Sequence, residues 1–274
     1  MESIPRVLFQ RGEIVVYTYT VIVAAGLISG TLTAWGAGYM AGSTPEELLE
    51  GLLWALVGAA GGAYAWDVGV RFLLYGQVAL GTAVGWPSAP SVHGVLWGGG
   101  GALVFWARRR RWAVSHVLDV AAVGVAVGSV FVWAALLIHG GVSGVPVNAP
   151  WAWRLPDVAG IVVPRVPVQA LGLGLNLLLG GALTAVAWFV GPRRTNGWLF
   201  LVWMVANSAF LGVIGFWRAD PTIWIGPLRL DQVAAFGEVG LVMGLIVRRM
   251  WKAACQAAGL PAVSLPAPTS LPEE

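Results

Sequence analysis

The feature that most constrains this chain is a train of seven apolar stretches, at residues 14–35, 48–74, 92–106, 117–138, 167–190, 198–217 and 232–247. A helix rises about 1.5 Å per residue and the hydrocarbon core of a bilayer is about 30 Å thick, so ~20 apolar residues reach across it. Most of the stretches meet that length, and the breaks between them are rich in glycine, proline and arginine. Only 11% of the 274 residues are charged and the mean hydropathy is +0.77. A soluble domain carries about 25% charged residues, so a water-soluble globule is excluded. Disorder is excluded too, because 16 tryptophans in a Leu/Val/Ala-rich body are the opposite of a solvated coil. The fold class expected is all-α: a polytopic membrane protein with seven transmembrane helices in residues 1–252, followed by a proline-bearing tail, 253–274, expected to be mobile.

Charge sets the expected orientation. Fifteen of the sixteen basic residues are arginines, and the densest run, Arg108, Arg109, Arg110 and Arg111, directly follows an apolar stretch. Such clusters at span ends mark cytoplasmic loops rather than nucleic-acid contacts. Arg193 and Arg194 close the fifth stretch and Arg248 and Arg249 the seventh. Seven spans with these clusters inside place the N-terminus outside and the C-terminus in the cytoplasm. That arrangement puts nine of the 16 basic residues on the inner side. No cleavable signal is expected before the first stretch, and the single cysteine, Cys255, allows no disulfide within the chain.

Local signals are specific in places. Thr44 reads as a helix N-cap, with Pro45 at the first helical position and Glu46 and Glu47 in the first turn. Gly58 with Gly62, and Gly124 with Gly128, stand at the small-xxx-small spacing that lets helix backbones approach. Trp35, Trp106, Trp198, Trp217 and Trp251 lie near span ends, as an interfacial belt does.

Ionisable groups at membrane depth are costly and mark candidate sites. Asp67 and Glu238 are the intramembrane polar candidates; Asp67 has Arg71 four residues on, the spacing of a helical ion pair. Asp119, eight residues after Arg111, reads as an ion pair or interface anchor. His93, His116 and His139 come from three separate places and give no metal-ligand spacing, so no metal is expected. His93 opens the third stretch in Ser91-Val92-His93-Gly94, where an imidazole with an ordinary pKa near ~6.5 is suited to act as a base.

The order of these motifs resembles that of the prolipoprotein diacylglyceryl transferases, over about residues 6–249. The resemblance rests on Tyr19-Thr20, on Ser91-Val92-His93-Gly94-Val95, on Arg108 to Arg111 with Asp119, on Arg165-Val166-Pro167-Val168-Gln169-Ala170-Leu171-Gly172, on Gly215-Phe216-Trp217-Arg218 with Asp220, and on Gln232. It implies a seven-span protein of the bacterial inner membrane that moves a diacylglyceryl group from phosphatidylglycerol to a lipobox cysteine thiol. It further implies His93 as the catalytic base, and Arg165, Gln169, Arg218 and Tyr19 as phosphate and head-group contacts. The family signature at the end of the fourth span departs: its Arg falls on Trp133, its first Asn on Leu136, its second Asn on His139 and its Glu on Gly141. The family's span-five and span-six glutamates fall on Gly172 and Gly215, and an arginine of span two is missing near residues 62–65. Thiol alkylation needs a thiolate and cations on the phosphate leaving group. The expectation is therefore a non-catalytic member that binds lipid or serves as an accessory subunit of a larger membrane complex, with the active transferase as the alternative. The partners expected are membrane lipids and other membrane-protein subunits, with no nucleic acid and no cofactor beyond phospholipid.

Overall fold

A computed structural model describes residues 7–11, 14–75 and 91–258. Its elements are β1 (Val7–Arg11), β2 (Ile14–Tyr17), α1 (Thr18–Met40), α2 (Pro45–Tyr75), α3 (Val92–Arg109), α4 (Val114–His139), β3 (Trp153–Pro156), β4 (Val162–Arg165), α5 (Val168–Phe189), α6 (Pro192–Thr195), α7 (Trp198–Ile214), a single 3₁₀ turn (Gly215–Trp217), β5 (Trp224–Ile225), β6 (Leu228–Arg229) and α8 (Leu230–Ala257). The strands form three separate two-stranded antiparallel hairpins; the body is helical.

Among the described residues six helices are long and apolar enough to cross a bilayer: α1, α2, α4, α5, α7 with its 3₁₀ turn, and α8. The seventh expected span, α3, does not qualify. Its 18 residues carry four consecutive glycines at 98–101 and end on Arg108 and Arg109, which dilute the hydropathy of a helix only about 27 Å long. The first span begins at Thr18 rather than residue 14, because Ile14–Tyr17 is a β-branched strand paired with β1. It also runs on through Gly36 and Gly38 to Met40, with Gly38 against Leu48 and Val120. The last helix continues to Ala257, past the expected end of the bundle at 252; residues 259–274 of the expected tail lie outside the described residues.

Two glycine seams hold the bundle. On α2 and α3, Gly58 and Gly62 face Gly94 and Gly98, and a Cβ added at Gly94 would lie 2.6 Å from the Gly62 carbonyl oxygen. On α1 and α4, Gly26 and Gly30 face Gly124 and Gly128, with the same 2.6 Å clearance between a Gly30 Cβ and the Gly124 carbonyl. Lipid tails give helices no hydrophobic reason to associate, so close backbone packing supplies the attraction.

One end of the bundle is rich in arginine. Gly42, after α1, packs on Arg193, and Arg110 pairs with Glu50. Thr44 caps α2 reciprocally with Glu47, at 2.9 and 3.3 Å. Asp119 is wholly buried here and does not pair with Arg111. It accepts hydrogen bonds from Thr195 Oγ1 (2.5 Å), Gly197 N (2.6 Å) and Phe200 N (2.9 Å), so it caps α7 from a neighbouring helix. At the opposite end, the stretch 139–166 builds the β3–β4 hairpin. Gly140 ends α4 with φ of +85°, a left-handed cap that disfavours any residue with a Cβ.

Candidate functional site

A buried polar cluster joins three helices. His93 Nδ1 lies 2.9 Å from Glu238 Oε1, and Ser208 Oγ donates to Glu238 Oε2 at 2.7 Å. His93 and Glu238 are each 1% exposed and Ser208 is fully buried. Among the described residues, His93 Nε2 has no hydrogen-bond partner. The Trp66 ring of α2 lies beside the imidazole, with centroids 5.6 Å apart. The glycine seam explains the depth of His93. It locks Gly94 and Gly98 against Gly62, so α3 starts level with Trp66, nine residues before the end of α2. From the other side, Glu238 is brought in by α8, whose buried positions Gln232, Ala235, Glu238 and Val242 form one helical stripe.

The second cluster sits where α7 runs into α8. Arg218 forks onto Asp220, Nε to Oδ1 at 2.9 Å and Nη2 to Oδ2 at 2.7 Å, and its Nη1 donates to Asp231. Arg229, 1% exposed, reaches Asp220 at 3.0 Å and Asp231 at 3.3 Å. Two arginines thus meet two aspartates in a neutral square. Burial by itself favours the uncharged guanidine of Arg218, but the hydrogen bonds and charges of Asp220 and Asp231 outweigh it and raise the pKa above the ordinary arginine value. Gln232 accepts from Arg229 N at 3.0 Å and donates to the Gly212 carbonyl at 2.9 Å. Its side chain occupies the space a Cβ on Gly215 would need.

A third group gathers on the turn 141–146. Arg165 donates to Asp157 (2.8 Å) and to the Gly144 carbonyl (3.3 Å), and Gln169 donates to the Gly141 carbonyl (3.0 Å). Gly144 is also bridged to Arg218, and Pro146 to Arg165. Three residues of the anticipated head-group set, Arg165, Gln169 and Arg218, therefore converge on one turn. Tyr19 stands apart, its ring 5.3 Å from that of His139. Asp67 pairs with Arg71 at 2.8 Å on an outward face, as the spacing predicted, and belongs to none of the clusters. Ser208, Asp231 and Arg229 were not singled out by sequence. Ser208 had a usable signal in the polar pair Asn207-Ser208 inside an otherwise apolar helix.

The departures from the family signature also meet in space. Trp133 lies directly over Gly172, an indole on a bare Cα, at the two positions where the sequence reading expects the family's span-four arginine and span-five glutamate. The Trp133 ring packs edge-on to Phe210 at 5.7 Å, and Leu136 joins Val166, Val168 and Ile214 in the same apolar cluster.

Six apolar spans, buried ion pairs and a short deep helix define a multi-pass membrane protein with an internal polar centre. The family model for prolipoprotein diacylglyceryl transferase matches residues 6–248, and the chain belongs to that family. The phosphatidylglycerol–prolipoprotein diacylglyceryl transferase of Acaryochloris marina is 24% identical over 241 residues, covering 86% of this chain and 87% of its own. That of Rhodospirillum centenum is 28% identical, covering 90% and 92%, and that of Polynucleobacter necessarius 30% identical, covering 73% and 83%. The family and its bacterial relatives place the chain in the bacterial cytoplasmic membrane.

Proposed function

We propose that this protein is an active phosphatidylglycerol–prolipoprotein diacylglyceryl transferase, with His93 as the base that activates the lipoprotein thiol. The observation that carries this reading is the His93 imidazole, buried, held at Nδ1 and, among the described residues, without a partner at Nε2. The cysteine S–H proton passes to Nε2. The thiolate then attacks the glyceryl carbon that carries the phosphate ester, the S–C bond forms as the C–O bond breaks, and glycerol phosphate leaves with the electron pair. Arg218, held by Asp220 and Asp231, donates hydrogen bonds to that leaving group, and Arg165 and Gln169, gathered with it on the turn 141–146, contact the head group. The departure from the expected loss of activity has support in the names of the full-length relatives, all of them transferases. In this reading α3 counts as a short seventh span, the arginine-rich end faces the cytoplasm, and the N-terminus lies outside. A periplasm-dependent reporter fused after Val166 is then active, and one fused after Arg111 silent.

The test is transfer from labelled phosphatidylglycerol to a lipobox peptide by the purified protein in lipid nanodiscs. Thioether formation at enzymatic rates is expected; its absence under conditions where a relative turns over rejects the reading. A second reading, a lipid-binding or accessory subunit without chemistry, is favoured by one observation, the Trp133–Gly172 contact where the family has charge. It predicts no transfer and stoichiometric co-purification with other membrane subunits.

A further inference from the structure

We infer that Glu238 is a positioning residue for His93, and that Ser208 holds Glu238 in turn, so that a Ser–Glu–His chain across α7, α8 and α3 sets which imidazole nitrogen is free. The inference rests on the transferase reading for its catalytic consequence, but not for its structural content. Among the described residues the two oxygens of Glu238 are taken by His93 Nδ1 and Ser208 Oγ, neither of them a candidate head-group contact. Among the described residues its ion-pair partner is the histidine itself, not an arginine or lysine of the scaffold.

The chemistry follows from the hydrogen bonds. A carboxylate cannot donate, so the hydrogen of the Nδ1···Oε1 contact belongs to the ring nitrogen, and Nε2 is left as the lone-pair atom. A buried carboxylate also stabilises the imidazolium formed when Nε2 takes a proton, because the charged pair is then neutral overall. Ser208 Oγ–H on Oε2 offsets part of the desolvation of Glu238 and fixes the carboxylate rotamer. On the remaining side α2 contributes the Trp66 ring, which carries no titratable group. The chain thereby keeps an internal acid–base centre although the polar pair at Trp133 and Gly172 has gone.

The experiment uses full-length protein in phosphatidylglycerol nanodiscs and two readouts. One is transfer to a lipobox peptide. The other is the ring-nitrogen NMR spectrum of labelled histidine, with His93 assigned by its loss in His93→Gln. The variants are Glu238→Gln, which preserves shape, Glu238→Asp and Ser208→Ala. Expected are an Nδ1-protonated ring in the wild type and, in Glu238→Gln, a shifted ring-nitrogen spectrum that reports a mixture of the two tautomers, because an amide donates as well as accepts. In the same variant kcat falls about 100-fold with the KM for phosphatidylglycerol within a factor of about two. Glu238→Asp recovers part of the loss, and Ser208→Ala gives a smaller change in the same direction. Unchanged His93 spectra in Glu238→Gln overturn the inference, whatever the activity. Shifted spectra with no transfer by the wild type leave the positioning role standing and reject the transferase instead. Wild-type transfer that Glu238→Gln leaves untouched, with unshifted spectra, rejects the positioning role alone.

Discussion

Two interior faces of the bundle have gone opposite ways. Where α4 meets α5, an indole covers a glycine, and Leu136, Val166 and Ile214 close a dry apolar cluster. Where α3 meets α7 and α8, an imidazole, a carboxylate and a hydroxyl are equally buried but joined by hydrogen bonds. The comparison shows that burial is a property of the position and polarity a property of the partnership. A charged group survives at membrane depth only where its lone pairs and hydrogens are matched, and removing one partner leaves the other exposed to the full desolvation cost.

The largest effect that separates the two faces belongs to the base. His93→Ala is expected to lower transfer by at least about 1,000-fold, roughly 4 kcal/mol of barrier, with retention of fold checked by unchanged detergent elution. Residual activity within tenfold would move the base elsewhere. The seam that places the histidine comes next. Gly62→Val drives a branched side chain into the Gly94 carbonyl and the Gly98 backbone, beyond what either can yield. A loss of about 3 kcal/mol or more, or failure to accumulate in the membrane, is expected; a wild-type melting temperature would show that the seam is slack.

On the apolar face the effects are smaller and coupled. A Cβ at Gly172 overlaps the Trp133 ring, so Gly172→Ala costs about 1–3 kcal/mol. The cost should largely vanish in a Trp133→Leu background, measured as a double-mutant cycle in thermal unfolding. Additive effects would break the proposed complementarity. Smallest is Asp119→Asn at the arginine end. The variant keeps an acceptor but loses the charge that faces the N-terminus of α7, and about 1–2 kcal/mol of stability goes with it.

The sequence made much of this legible wherever the signal is local. The apolar stretches located six spanning helices, the Thr44–Glu47 box was readable residue by residue, and the spacing of Asp67 and Arg71 gave their ion pair. The small-xxx-small pairs on α2 and α4 were visible, but not their partners Gly94 with Gly98 and Gly26 with Gly30. Asp119 read as an ion pair with Arg111 or as an anchor; it is not paired with Arg111 and instead anchors the start of α7, a role the sequence could not specify because its donors lie 76 to 81 positions away. The strand at 14–17 escaped because β-branched apolar residues serve a strand and a span equally well, and the hairpin at 153–165 because Pro156 and Pro164 read as breaks.

Hydropathy and charge thus determined by themselves that the chain is a helical membrane protein, roughly where it crosses, and which residues stand at unfavourable depth, since each of those is a property of a short window of chain. Only the tertiary structure decided that His93 meets Glu238 across 145 residues, that Arg218 and Arg229 share two aspartates, and that Trp133 fills the gap over Gly172. Those outcomes depend on the rotation and depth of each helix against its neighbours. Backbone contact between glycines sets both, and no single stretch of sequence contains that information.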